Sequence, residues 1–459
     1  MSGALPPGAI EPADGSMRAE VHRLFHLSWP VVLAFLGTVG MGVVDSIMVG
    51  RLGAASLAAV ALANTWNFAI VIVALGVGRG LDPIVAQAHG AGDTREVASG
   101  FALGVALAAL LAPVLISFYL IAEPALTFLG QPRDLIPVAA DYCGALVWGV
   151  PGLMGMMICR QFLQALGKMK PGTVAVLLAN GVNAALNWVL IYGHLGMPAL
   201  GAVGSGYATS VSQWFMLGVL LWLGRRQIGP HWSGWRAPLS WRALGGIAAI
   251  GLPIGFQMGL EAWAFHAAGL MMGWLGTLPV AAHSIALNLA VVSFMVPNGL
   301  AAAAATRVGH LVGAGLPWQR TARLAVAMGG LVMVVPALAF TLVPGVLAGI
   351  YTADPALLAL ASSLLPMAGA FQLFDGIQVV CFGVLRGVGD IYVPSAANAV
   401  GYWLLGLPLG AFLAFRGGWG PRGIWAGFIL ALAAVAVLLL VRIVSIARRG
   451  AARVTIQSS

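Results

Sequence analysis

The sequence predicts an all-α integral membrane protein, with twelve transmembrane helices in two pseudosymmetric six-helix lobes around a central cleft. Three observations carry this expectation. Only 8% of the 459 residues are charged, whereas 60% are hydrophobic. The hydrophobic residues gather into runs long enough to cross a bilayer. The two halves of the chain also align with each other at one constant offset.

Soluble globular chains carry about 25% charged residues. With a third of that share and a mean hydropathy of +0.95, a chain of this size cannot solvate its surface. A soluble enzyme, a nucleic-acid reader and a disordered chain are thereby excluded as whole-chain readings. The net charge of +9 is carried in short loops, so it reads as membrane orientation rather than affinity for nucleic acid. Cys143, Cys159 and Cys381 all fall inside apolar runs. An odd number of cysteines at dry sites argues against a disulfide framework. The first residues (MSGALPPGAIEPADGSMRAE) lack the basic stretch and short apolar core of a secretory signal and read as a short cytoplasmic tail.

A span needs about 20 mostly apolar residues. Runs of that length occur at 25–48, 55–78, 97–121, 135–159, 171–193, 201–224, 245–271, 279–303, 324–346, 355–380, 391–415 and 423–445. They are too long for barrel strands and do not alternate apolar with polar, so they are helices. An even number of spans puts both ends on one side. Nineteen of the 23 Lys and Arg residues then share that side, and only Arg51, Arg133, Arg416 and Arg422 oppose them. The positive-inside rule makes the shared side cytoplasmic. The expected organisation is a tail at 1–24, an N-lobe at 25–224, an inter-lobe loop at 225–244, a C-lobe at 245–445 and a tail at 446–459.

Sliding the sequence by 223 residues superposes Pro30 on Pro253, Gly50 on Gly273, Leu52 on Leu275, Gly53 on Gly276, Ala58 and Ala59 on Ala281 and Ala282, and Gly76 on Gly299. HGAGD at 89–93 falls on VGAGL at 312–316. Because the offset spans an even number of helices, the halves share one topology about an axis along the membrane normal.

Three acids, Asp45, Glu261 and Asp375, lie inside apolar runs. Each costs about 2.5–3.5 kcal/mol at mid-helix before compensation, so each marks a candidate functional site. Gln257 and Glu261 are one helical turn apart, with Phe265 one turn further. Gln372, Asp375 and Gln378 repeat every three residues and form a polar stripe. Thr173, Asn180, Asn183 and Asn187 line one face of the fifth span, a pattern equally suited to interhelical hydrogen bonding. His266 and His283 also fall in apolar runs, but neither has a partner at metal-ligand spacing, so no transition-metal site is expected. His283, Ser284 and Asn288 offer a polar lining. No GxxxxGK[ST] loop is present, so no ATP motor is encoded here and any pumping must draw on an ion gradient or a separate subunit; the expectation is that no ATPase subunit is required.

The segments LSWPVVLAFLGTVGMGVVDSIMVGRLG, PIVAQAHGAGD, VNAALNW, GLPIGFQMGLEAWAF, PVAAHSIALN and FQLFDGIQVVCFGVLRGVGD resemble, in order, the motifs of the multidrug and toxin extrusion (MATE) family, on its NorM-like branch. The resemblance covers Leu27 to about Arg449. It implies a secondary active antiporter of the bacterial inner membrane that exports lipophilic, mostly cationic compounds in exchange for H⁺ or Na⁺. It also implies a monomer without cofactor, partnered by membrane lipid and not by nucleic acid. By position, Asp45 with Asn183 and Asn187 resembles the first-lobe cation site, and Glu261 with Asp375 the second-lobe one. Na⁺ is the metal to expect at either. Pro30 resembles the proline about which the first helix bends. Gln257, Phe265, His283, Asn288, Gln372, Gln378 and Asn180 are the candidates for lining the substrate cleft.

Two other readings remain. A lipid-linked oligosaccharide flippase calls for basic charge in the membrane, whereas the embedded charges here are acidic. A passive channel lacks exchange of ion for substrate.

Overall fold

The structure, a computed structural model, describes residues 16–236 and 240–455. The parts of the expected tails and inter-lobe loop at 1–15, 237–239 and 456–459 lie outside the described residues. The first half comprises α1 (Met17–Gly50), α2 (Ala54–Gly78), α3 (Leu81–Gly90), α4 (Thr94–Leu120), α5 (Ala122–Phe128), α6 (Ile136–Val147), α7 (Val150–Ala165), α8 (Lys170–Tyr192) and α9 (Gly201–Ile228). A 3₁₀ segment, Gly229–Arg236, leads toward α10 (Trp241–Leu275), α11 (Thr277–Gly313), α12 (Gln319–Leu342), α13 (Pro344–Gly349) and α14 (Pro355–Val388). Next come α15 (Tyr392–Ala399) and α16 (Leu407–Ala411), each followed by a π-helical stretch (Val400–Gly406 and Phe412–Arg416), and finally α17 (Pro421–Arg449). Among the described residues there is no strand.

Among the described residues, ten helices are long and apolar enough to cross a membrane, with Ala54–Gly90 and Tyr392–Arg416 each counted as one. The pair α6–α7 makes an eleventh span bent by 54°. Gly149 and Pro151 sit at that break, and the proline opens α7 in its first turn, where its missing N–H costs nothing. The remaining expected span is α9, 28 residues long. Ser205, Thr209, Ser210, Ser212 and Gln213 lower its hydropathy. Two of these hydroxyls are satisfied internally, Ser210 by the Ala145 carbonyl at 2.8 Å and Ser212 by the Ala208 carbonyl at 2.7 Å.

Several helices overrun the apolar segments that announced them. The first begins at Met17, so residues 17–24 are helix rather than tail. Arg160, Arg307 and Arg386, expected in loops, lie within α7, α11 and α14. Hydropathy reports the lipid-facing length of a helix, whereas these ends are stabilised by protein contacts.

Two compact units form. One contains residues up to Val32, Ala86–Gly92 and Phe256–Val454; the other contains Leu33–Val85 and Asp93–Gly255. Their boundaries therefore fall within α1 and α10, not in loops. Each boundary follows a helix proline, Pro30 or Pro253, by two residues. The boundary positions, Val32 and Gly255, differ by 223, the offset of the repeat.

Local geometry repeats at the same offset. Gly53 and Gly276, which precede α2 and α11, have φ of 121° and 125°. Gly92 and Gly315 have φ of 71° and 67°. In one unit, a Cβ on Gly76 would come within 2.7 Å of the Gly255 nitrogen. In the other, a Cβ on Gly299 would lie 3.1 Å from the Ser28 carbonyl oxygen and the Val32 nitrogen. Gly76 and Gly299 are repeat equivalents, as are Gly255 and Val32. In both units, the proline-bearing helix packs on a glycine-bearing helix by the same close approach beside its proline.

Forcing a methyl group into a tight backbone contact costs about 1–3 kcal/mol. Gly76→Ala and Gly299→Ala should each lower the thermal unfolding temperature of purified protein. Gly42→Ala, which has nothing within 4 Å of the added carbon, should leave it unchanged or raise it.

Candidate functional site

In the unit containing Leu33–Val85 and Asp93–Gly255, the site is built on α1, α8 and α9. Asp45, near the C-terminal end of α1, is 8% exposed. Asn183 and Asn187 occupy successive turns of α8 and are 0% exposed. Asn187 donates through Nδ2 to Asp45 Oδ1 and to Asn183 Oδ1 at 3.1 Å. Thr209 of α9 donates to Asp45 Oδ2 at 3.4 Å. Tyr142 of α6, buried, lies near both Asp45 and Asn64. Cys143, the next residue, donates to Asn67 Oδ1 at 3.6 Å. The groups around this carboxylate are neutral amides and hydroxyls, with no lysine or arginine in hydrogen-bonding range among the described residues.

The asparagine stripe of α8 divides by depth. Asn180 is only half-buried, donates to its own Val176 carbonyl at 2.8 Å and lies against Gly37 and Gly40 of α1. It takes no direct part in the Asp45 cluster.

In the other unit, α10, α14 and the α15 region converge. Glu261 Oε2 accepts from Asn398 Nδ2 at 2.8 Å. One turn earlier, Gln257 Oε1 accepts from Ser395 Oγ at 3.4 Å. Asp375, 5% exposed, faces the like charge of Glu261. Tyr402, 1% exposed, lies within the field of both acids. It belongs to the first π-helical stretch, whose Trp403 donates to the Leu260 carbonyl at 3.0 Å. A π-bulge re-aims side chains locally and often accompanies function. Here it ties the stretch to α10 on one side of the acids.

Phe265 packs edge-on against Phe371, Tyr402 and Phe428, at 5.8, 5.8 and 5.2 Å between ring centroids. All three members of the Gln372–Asp375–Gln378 stripe are buried. Gln372 donates to the Ala290 carbonyl at 3.0 Å and to Ser293 Oγ, tethering α14 to α11. Gln378 Oε1 has no hydrogen-bond partner among the described residues. The expected lining of His283, Ser284 and Asn288 does not form one face. His283 is buried against Trp425, with ring centroids 5.6 Å apart, while Ser284 and Asn288 are exposed. Five residues along a helix amount to about 140° of rotation, which separates His283 from Asn288. His266 is exposed as well.

Sequence reasoning missed Thr209, Tyr142, Asn398 and Tyr402. It also missed two further buried acids, Glu20 and Asp82, 1% and 3% exposed. Asp82 accepts from Gln161 at 3.1 Å and interacts with the Arg160 charge. Both acids sit at the ends of apolar runs, where a charge ordinarily belongs to a loop. Thr209 left one trace, the depressed hydropathy of α9.

The sequence profile of the MatE family matches residues 30–189 and 253–412, two copies separated by the 223-residue offset. The chain is 38% identical to Multidrug resistance protein NorM of Burkholderia vietnamiensis over 90% of this chain and 91% of that protein. It is 35% identical to Multidrug resistance protein PmpM of Pseudomonas aeruginosa over 94% of this chain and 93% of that protein. The fold is similar to that of the eukaryotic MATE transporter AtDTX14, with a TM-score of 0.84 at 23% identity, covering 94% of this chain and 98% of that one.

Removing Asn187 strips Asp45 Oδ1 of its amide donor, and an unsatisfied buried acceptor costs about 1–3 kcal/mol. Asn187→Ala should therefore destabilise the purified protein clearly more than Asn180→Ala, whose bond is local to its own helix. Thermal unfolding of the two variants side by side measures the difference.

Proposed function

The chain belongs to the MatE family and is a multidrug efflux transporter, and we propose that it works as a secondary active antiporter. Lipophilic, mostly cationic compounds leave in exchange for inward H⁺ or Na⁺ by alternating access, through a bacterial inner membrane with both chain ends cytoplasmic. The observation that carries this reading is the environment of the acids. Asp45 is met by amides and a hydroxyl, and Asp375 by the like charge of Glu261.

Burial disfavours a bare carboxylate, and a bound cation favours it. A proton, a sodium ion and an organic cation are therefore interchangeable ways to neutralise the same group, and two at once leave an excess positive charge. Neutralisation by the inorganic ion weakens the hold on the drug, which leaves outward. Release of the ion inward restores the charge and the affinity. Differential affinity between the two states drives the exchange. A potential of 100 mV supplies about 2.3 kcal/mol per charge moved. In this scheme Asn187 and Thr209 fix the Asp45 carboxylate, while Asn398 fixes that of Glu261. Gln257 and Phe265, half-buried beside the acids, are proposed to meet the drug, as is Asn180. The tether made by Gln372 and the buried position of His283 argue for structural roles for those two.

Counterflow of a fluorescent cation in proteoliposomes, under separate pH and sodium gradients, tests the proposal. Exchange driven by one of the two gradients is expected. Glu261→Gln and Asp375→Asn should each abolish the gradient-dependent part while the protein remains folded in the membrane. Asp45→Asn tests the other unit in the same assay. Substrate flux indifferent to both gradients would contradict antiport and favour a passive channel.

A further inference from the structure

Glu20 opens α1 and is 1% exposed. Its Oε1 accepts from Arg307 Nε at 2.8 Å and from Thr321 Oγ1 at 2.6 Å. Its Oε2 accepts from Arg307 Nη2 at 3.1 Å and Arg23 Nη1 at 3.3 Å. Arg307, on α11, is 6% exposed, and Thr321, on α12, is 0% exposed. Two nitrogens of one guanidinium thus grip both oxygens of one carboxylate, the strongest geometry such a pair has.

The position of this network in the chain gives it meaning. By sequence α1 belongs to the first repeat, yet its portion up to Val32 belongs to the compact unit built on the second. Glu20 clasps that portion to two helices of the second repeat. Pro30 and the unit boundary lie ten and twelve residues further along the same helix.

The repeat supplies an internal control. The first part of α10 is handled in the same way by the other unit. At the equivalents of Glu20, Arg307 and Thr321, however, stand Ala243, Ile84 and Ala98. Packing a half-helix onto the other repeat therefore needs no ion pair, since apolar residues and close glycine contacts suffice. A buried ion pair adds little net stability over apolar residues of the same volume. What it adds is a joint that water can reclaim, since both partners regain hydration once they part.

We propose that Glu20, Arg307 and Thr321 form a latch that holds the first half of α1 on α11 and α12 in one state of the transport cycle and opens in the other. The proposal rests on the alternating-access reading above. Opening exposes Thr321, which the closed latch seals.

The test uses the full-length Thr321→Cys protein in proteoliposomes, with a membrane-permeant maleimide as probe. The native cysteines are buried, and the unsubstituted protein measures their background labelling. Labelling of Thr321→Cys should rise about tenfold when substrate and ion gradient are supplied together, because turnover populates the open state. Glu20→Gln added to Thr321→Cys should raise labelling without any gradient. Oxidation of a Glu20→Cys/Thr321→Cys pair should stop counterflow, and reduction should restore it. Labelling of Thr321→Cys that stays at its resting rate during measured counterflow would overturn the latch, as would unimpaired counterflow by fully disulfide-linked protein. Absence of counterflow in the unsubstituted protein would instead count against the antiport reading.

Discussion

A carboxylate removed from water must be neutralised, paired or surrounded by donors. Asp45 takes the last course. Its oxygens meet the amide of Asn187 and the hydroxyl of Thr209, which share its charge without cancelling it. In the proposed exchange, the residual negative potential is what attracts a cation. Around the acid, α8 stacks two fully buried asparagines and α9 contributes the Thr209 hydroxyl. In the other unit, the like charges of Glu261 and Asp375 disfavour each other. Their amide and phenol neighbours sit on a helix whose regular winding is broken by π-turns.

The contrast with the remaining buried acids sharpens the point. Glu20 is answered by two arginines and a threonine, and Asp82 by Gln161 and the Arg160 charge. A carboxylate answered by a guanidinium has no use for a second cation. The buried acids thus differ in their neighbours: Asp45 accepts from an amide and a hydroxyl, whereas Glu20 and Asp82 each have a guanidinium beside them. A guanidinium partner suits a joint between helices, and the proposed ion exchange rests on the acids that lack one in hydrogen-bonding range.

The sequence made the spans readable because hydropathy tracks lipid contact, and the repeat readable because glycines that need positive φ recur at one offset. Stacking of Asn183 on Asn187 followed from the helical period. That Asp45 reaches Asn187 across 142 residues is suggested only by the family resemblance, since no local pattern encodes an interhelical contact. Glu20 and Arg307 looked like loop charges because hydropathy cannot distinguish a helix end in water from one buried in protein. The proposed lining around His283 failed for a geometric reason, because Ser284 and Asn288 share a face that His283 does not. Gln372 belongs to the polar stripe that the helical period predicts, yet its amide is spent on the α11 backbone and on Ser293.

The central claim is exclusive occupancy: a carboxylate of this kind holds either an inorganic ion or an organic cation, never both. Its most direct measurement is the ion displaced when a lipophilic cation binds purified, detergent-solubilised protein in weakly buffered solution, read by a pH dye and a sodium electrode. The account predicts that binding releases protons or sodium in proportion to the cation bound, and that raising the released ion weakens binding. Binding that releases neither ion, at an affinity unaffected by pH and sodium, would contradict it.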